Sequence, residues 1–367
     1  MELRRFRMTL SIRANLSRAK MIKIILWRAV MFVAIGAVSL ITGQLLPIAA
    51  LAQDSATAKL IEGAKKEGKM IFYSSLNIED NNGLLKRFEE KYPFIKTELN
   101  RLTADRLLIR FQSEARAKNA VADVLLNGGA RTHITKKDGL LLKYMSPESK
   151  SYSPGFKDPD GYWTDAYLNA HVLVYNTRML KAAEVPASHA DLLKPQWANK
   201  FVMVSKAYEW FLKILKLNGE TKGLEFFKQL AGQRPGFRIG SSQIADLVAA
   251  GEYPIGINTY STNIEDLKSR GAPVDWVGLD PVVAILHPIA INATAPHPNA
   301  AKLFVDFVLS KEGMMLLRSY KRIPSRLDVE PMVPRLTKGI KFHPSEPELA
   351  EEFDKYARTF QNIFDVR

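Results

Sequence analysis

The sequence predicts an α/β protein of two lobes joined by a hinge. Strand and helix patterns alternate along almost the whole chain after residue 55, without internal repeats or low-complexity tracts. Two long extended stretches, 162–175 and 281–291, interrupt that alternation. Two alternating sections tied by two crossings imply two separate layered bodies.

The first section opens with a helix over Ala56–Lys66 that Gly68 is placed to end. Lys69–Ser74 is a short apolar run of strand length. Asn81–Lys91 has helical spacing, with Leu84, Leu85 and Phe88 on one face, and Phe94–Leu99 reads as a second strand. A helix over Ala104–Lys118 leads to a third strand, Val121–Leu126, which runs into Asn127-Gly128-Gly129. This β–α–β order implies a mainly parallel sheet with helices on both faces. A turn-rich stretch, 146–162, precedes the first crossing. The second section then repeats the scheme. Strands are expected at Phe201–Ser205, Phe237–Ile239, Tyr253–Asn258 and Val274–Val277. Helices are expected at Tyr208–Leu217, Thr221–Leu230, Ser241–Ala250 and Ser261–Ser269. Beyond the second crossing, Pro298–Leu309 and Glu346–Phe360 read as helices. Residues 53–169 with 284–325 make the first lobe and 170–283 the second; residues 326–367 form a helical segment assigned to neither.

The first 52 residues stand apart. Eight basic residues and one acid lie between Met1 and Arg28, an uncharged apolar stretch spans Ala29–Gly43, and Ala50-Leu51-Ala52 ends it. Basic start, apolar core and small-x-small site describe a cleaved secretory signal, with Met21 an alternative start. The competing reading, an uncleaved anchor, needs a longer apolar run than one broken at Pro47. Half of the formal +14 charge leaves with this segment, so the mature chain is only mildly basic. No basic run with interleaved aromatics offers itself to nucleic acid, whereas a mild positive field suits an anionic solute. There is no cysteine, which excludes disulfides, thiol nucleophiles and a lipid-anchoring cysteine. An exported chain without that anchor is expected to be free in the periplasm, as a monomer.

In such sheets ligands bind at the carboxyl ends of strands, where loops meet helix N-termini. That rule selects five loops, all rich in hydroxyls, amides or glycine: Ser74–Asn77, Asn127–Gly129, Ser205–Tyr208, Gly240–Gln243 and Asn258–Ser261. The candidate ligand-binding residues are therefore Ser74, Ser75, Asn127, Gly128, Gly129, Tyr208, Ser241, Ser242 and Tyr260. Serines at helix starts also serve simply as caps, and tyrosines at such places also pack. Trp210, at helical spacing, is expected in the core.

These stretches, with others in order along the chain, carry a resemblance. Glu67–Ser74 (EGKMIFYS), Tyr175-Asn176-Thr177, Leu192–Lys200 (LLKPQWANK) and Ala249–Gly256 (AAGEYPIG) are among them. Gly271–Val277 (GAPVDWV), His297–Phe304 (HPNAAKLF) and Arg322–Arg326 (RIPSR) complete the set. The chain resembles the extracellular solute-binding proteins of ATP-driven (ABC) importers, the group containing ferric-ion, thiamine and phosphonate binders. The resemblance implies a type II-like periplasmic-binding-protein clamshell that closes on a small solute and docks on an inner-membrane permease. Ferric binders of that group carry adjacent tyrosines where this chain has Asn258-Thr259-Tyr260-Ser261. With Ser261 in the second place and no Tyr-Tyr pair anywhere, the expected cargo is an anionic organic solute rather than a bare ferric ion, which stays the alternative.

No catalytic constellation is expected. There is no G-x-S-x-G elbow, P-loop or dinucleotide fingerprint, and the chain is read as a non-enzyme without cofactor. A secreted enzyme using dispersed carboxylates on a glycan is the remaining alternative. His133, His171, His189, His287, His297 and His343 lack metal-site spacing and read as surface or capping residues. Glu89-Glu90 and Glu351-Glu352 read as solvated, and Arg322 and Arg326 as surface charge around a turn.

Overall fold

The computed structural model describes residues 57–366. The proposed signal segment and cleavage site therefore lie outside the described residues. The chain divides into a unit of residues 1–60, of which 57–60 are described and helical, and a unit of residues 61–367 that carries everything below.

Helical residues 61–67 end at Gly68, whose φ of 64° is the left-handed conformation glycine tolerates best. Strand β1 (Lys69–Ser74) follows as expected. Helix α1 (Ile78–Lys91) starts three residues before the sequence pattern begins, because the Asn77 side chain accepts from the Asp80 amide at 2.8 Å and caps it. Strand β2 (Lys96–Arg101), helix α2 (Ala104–Arg116) and strand β3 (Val124–Leu126) complete the first β–α–β unit. Helix α3 (Gly129–Lys137) has no counterpart in the sequence pattern; its apolar content is too low to show helical periodicity. β2 and β3 flank β1, both parallel to it.

Strand β4 (Trp163–Asn176) joins two bodies of sheet. Along Trp163–Ala170 it pairs antiparallel with β9 (Val282–Ile291), which in turn pairs with β3. Along His171–Asn176 it pairs with β7 (Ile255–Tyr260) and β8 (Val274–Val277). β7 continues through β5 (Phe201–Val204) to β6 (Gly236–Arg238) in parallel. Each body therefore has a parallel three-strand part on which the crossing strands run antiparallel. Short strands β10 (Ile323–Pro324) and β11 (Phe342–Pro344) add to β4 and β9.

Helices α4 (Tyr208–Asn218), α5 (Glu220–Gly232), α6 (Ser241–Ala250) and α7 (Ser261–Ser269) belong to the second body, and α8 (Pro298–Leu309) to the first. Helix α9 (Lys311–Ser319), absent from the sequence pattern, is capped by Ser310. The C-terminal helix is shifted. Pro347 opens a 3₁₀ stretch over Pro347–Glu352, and α10 (Phe353–Phe364) follows. Tyr356, Phe360 and Phe364, one helical face, enter the same core as Phe211 and Phe227, so α10 packs on the second lobe. Trp210 is buried there as expected.

Candidate ligand-binding cleft

A cleft of about 460 Å³ lies between the two bodies of sheet, at the carboxyl ends of β1, β3, β5 and β7. It is lined by Ser75, Gly128, Tyr208, Ser241 and Tyr260, five of the nine residues expected from the sequence. The other four lie elsewhere. Ser74 is fully buried and its hydroxyl accepts from the Leu76 amide. It keeps the strand parity of Met70 and Phe72, a signal already present in the sequence. Asn127 is buried, its amide donating to the Ala104 carbonyl at 3.1 Å. Gly129 is packed between Pro347 and Leu286. Ser242 faces a neighbouring polar groove with Asn263 and Asp266.

Four helices begin on this cleft: α3 after Gly128, α4 after Ala207, α6 after Gly240 and α7 after Tyr260. None has a side-chain cap, and α3, α6 and α7 carry no acid in the first turn. By contrast α1 and α9 are capped by Asn77 and Ser310. An uncapped N-terminus leaves free amides and the positive end of the helix dipole facing the cavity. Ser241 does not cap its own helix; its oxygen accepts from the Tyr260 amide at 2.8 Å and so fixes one helix start against another. That leaves its O–H free to donate.

The side chains the sequence reading missed are the charged ones. Arg131, in the first turn of α3, pairs with Asp105 at 2.9 Å on its own side and reaches Glu209 of α4 at 3.6 Å across the cleft. Lys206, exposed, lines the opposite wall. Burial raises the Glu209 carboxyl above its ordinary value, partly opposed by Arg131. Burial, reinforced by Glu209, pushes the Tyr260 hydroxyl up to about 12. A basic residue in the first turn after a cleft loop was the available signal for Arg131.

Two histidines, expected at the surface or as caps, line the cleft instead. His171 stacks on Tyr260 with ring centroids 5.3 Å apart, and His287 stacks on Tyr167 at 4.2 Å. These are cross-strand neighbours, His171 opposite Tyr260 and Tyr167 opposite His287. Burial holds both imidazoles neutral, down to about 4, with Arg322 adding to the effect at His287. The Nδ1 atoms of both, and Oδ1 of Asn258, are buried without a protein partner. Asn258 also adopts φ 62°, a conformation that asparagine tolerates better than most residues. Unpartnered buried polar atoms gathered at one cavity mark a place for water or ligand. Arg326 is likewise not free surface charge: its side chain is largely covered and pairs with Glu148 and Asp328. Arg322 pairs with buried Asp80 at 2.7 Å. Glu351 is held by His133 at 2.9 Å and Lys137 at 3.1 Å.

The adjacent tyrosine pair is absent, yet folding brings Tyr208 and Tyr260 to one cavity with Glu209. Among the described residues no group of three His, Asp or Glu side chains is arranged to hold a metal.

Residues 119–347 match the model of a family described as bacterial extracellular solute-binding proteins. The chain belongs to that family. Among curated relatives, it is 25% identical to iron uptake protein A1 of Synechocystis over 291 residues, 72% of this chain and 77% of the relative. A Trichodesmium protein in complex with iron and citrate superposes with a TM-score of 0.71 at 19% identity, over 82% of this chain and 100% of that one. A periplasmic binding protein of Actinobacillus pleuropneumoniae with fructose-6-phosphate bound gives 0.66 at 24%, over 82% and 99%. The two-lobed fold is thereby shared, and the family is one of solute binders rather than enzymes. Among the described residues no helix is long and apolar enough to cross a membrane.

Proposed function

We propose that this solute-binding protein is the periplasmic receptor of an ABC importer and that its cargo is a small organic solute carrying an oxyanion. The observation behind this reading is the convergence of four uncapped helix N-termini, with Arg131 and Lys206, on one cavity. Backbone amides and helix dipoles favour carboxylate or phosphate oxygens there. Tyr208 and Tyr260 offer apolar faces to the rest of the solute, and Ser75, Ser241 and the unpartnered Asn258 offer hydrogen bonds. The lobes are residues 53–169 with 284–325, and 170–283, hinged where β4 passes from one sheet to the other. A ligand touching both lobes is bound best when they are closed, so binding shifts the population to the form a permease reads. Export through a signal cleaved after Ala52 places the receptor in the periplasm.

A second reading has its own support: Tyr208, Tyr260 and Glu209 are hard oxygen donors in the same cavity, and relatives are named for iron. The cargo is then a ferric ion held together with its chelating anion. Calorimetric titration with citrate, fructose 6-phosphate and ferric citrate separates the two. One-to-one binding of a metal-free anion, and a colourless mixture with ferric citrate, supports the organic anion. A stoichiometric coloured complex lost in Tyr260→Phe establishes iron instead.

A further inference from the structure

Of the four helices that start on the cleft, only α4 carries an acid in its first turn, and that acid is the one reaching across to the other lobe. Glu209 sits 3.6 Å from Arg131, with its side chain only 20% exposed. Arg131 also pairs with the exposed carboxylate of Asp105 on its own side, so its guanidinium keeps a partner when Glu209 is removed. A carboxylate at the meeting point of a guanidinium and uncapped helix starts occupies the place an oxyanion ligand requires. We infer that Glu209 is a built-in stand-in for the ligand's oxyanion: it occupies the cleft side of Arg131, whose other side pairs with Asp105, and ties the lobes in the free protein, and the cargo must displace it. This inference rests on the oxyanion reading of the cleft.

The consequence is selectivity. A monocarboxylate exchanges like for like with Glu209 and gains little. A phosphate monoester or a polycarboxylate brings more charge than the group it displaces, so it outcompetes Glu209. The displaced carboxylate is left half-buried beside an anion, where like charge favours its protonated form. On displacement Glu209 therefore gains proton affinity. The charged and titratable groups around Glu209 are Arg131 and Asp105 from the first lobe, Lys206 and Tyr208 beside it, and Tyr260 with the His171 and His287 rings. From the C-terminal helix only Phe353 reaches the cavity. Burial keeps both imidazoles down at about 4, so they stay neutral on binding near pH 7. A phosphate monoester titrates near neutral pH itself, so the share of Glu209 is the difference between wild type and a variant without its carboxyl.

The test uses the exported mature protein and its Glu209→Gln variant. Without ligand at low salt, small-angle scattering should show a larger radius of gyration for Glu209→Gln, and wild type in high salt should move the same way. With citrate and fructose 6-phosphate as probes, Glu209→Gln should bind about tenfold tighter, as expected when a competing charge is removed. Calorimetry in buffers of different ionisation enthalpy should show more proton uptake in wild type than in the variant, the probe's own protonation change being common to both. Unchanged affinity and unchanged proton uptake, or weaker binding, overturns the inference. If neither protein binds either probe, the oxyanion reading of the cleft fails, and the ligand-free scattering still decides whether Glu209 ties the lobes. Should Glu209→Gln not fold, Glu209→Asp, which withdraws the carboxylate by one methylene, is read in the same two ways.

Discussion

Removing either end of the pair between Lys213 and Glu346 should have unequal consequences. Lys213 lies on α4 with its side chain 5% exposed, and its ammonium donates to Glu346 at 2.7 Å. Glu346 introduces the C-terminal segment and is 34% exposed. Burial raises its carboxyl, but Lys213 more than compensates and holds it below the ordinary range. Deleting one partner of a buried pair costs about 3–5 kcal/mol, because the other charge stays buried and uncompensated. Glu346→Gln should cost less, about 2 kcal/mol, since the site is partly wet and an amide oxygen still accepts from Lys213. Lys213→Met removes the desolvated charge itself and fills its channel with an apolar chain of similar length. It should stay within about 1 kcal/mol of wild type. Urea denaturation of both single variants and the double variant measures the difference and the coupling. If Lys213→Met costs as much as Glu346→Gln, the pair is held by Coulombic attraction in a wet site, and the burial argument is wrong.

Other outcomes follow from the same reasoning. Phe360→Ala should destabilise by about 3–5 kcal/mol, since the ring is fully buried against Phe211 and Phe364. It should also weaken ligand binding, because Phe360 supports the Tyr208 ring at 5.6 Å; thermal unfolding and titration read the two effects. Gly313→Ala should cost more than about 2 kcal/mol, because a Cβ there runs into the Phe307 and Val308 carbonyl oxygens and backbone cannot yield. Asp165 is fully buried, and burial raises its carboxyl well above the ordinary value despite hydrogen bonds from Ser325 and the His287 amide. An acid raised in the fold contributes stability below its unfolded pKa that is lost as pH rises toward its folded one. Asp165→Asn should therefore be more stable than wild type at pH 7, by about 1 kcal/mol or more, with the advantage vanishing near pH 4. Chemical denaturation at the two pH values checks it. Ser241→Ala should weaken binding of a cleft ligand by about 1–3 kcal/mol while Ser242→Ala leaves it unchanged, as calorimetry will show.

The sequence by itself determined what depends on neighbours along the chain. Buried strands such as Lys69–Ser74, the helices Ser241–Ala250 and Pro298–Leu309, and the two long crossings follow from local periodicity and turn chemistry. So did the rule placing a cavity at strand ends, which found Ser75, Gly128, Tyr208, Ser241 and Tyr260. Element starts moved where a single side chain decided them, as Asn77 did for α1. Helix α3 gave no periodic signal because its apolar content is low, and its cover, the 3₁₀ stretch from Pro347, comes from more than two hundred residues away. The charged and aromatic lining of the cleft was decided only by tertiary structure. His171 and Tyr260, or Tyr167 and His287, become partners through the register of antiparallel strands distant in sequence. Arg131 and Glu209 meet only because each opens a helix in a different lobe. Separation in sequence carries no record of such meetings. The register and the lobe arrangement that create them are fixed by burial of whole faces of sheet, which no local pattern encodes.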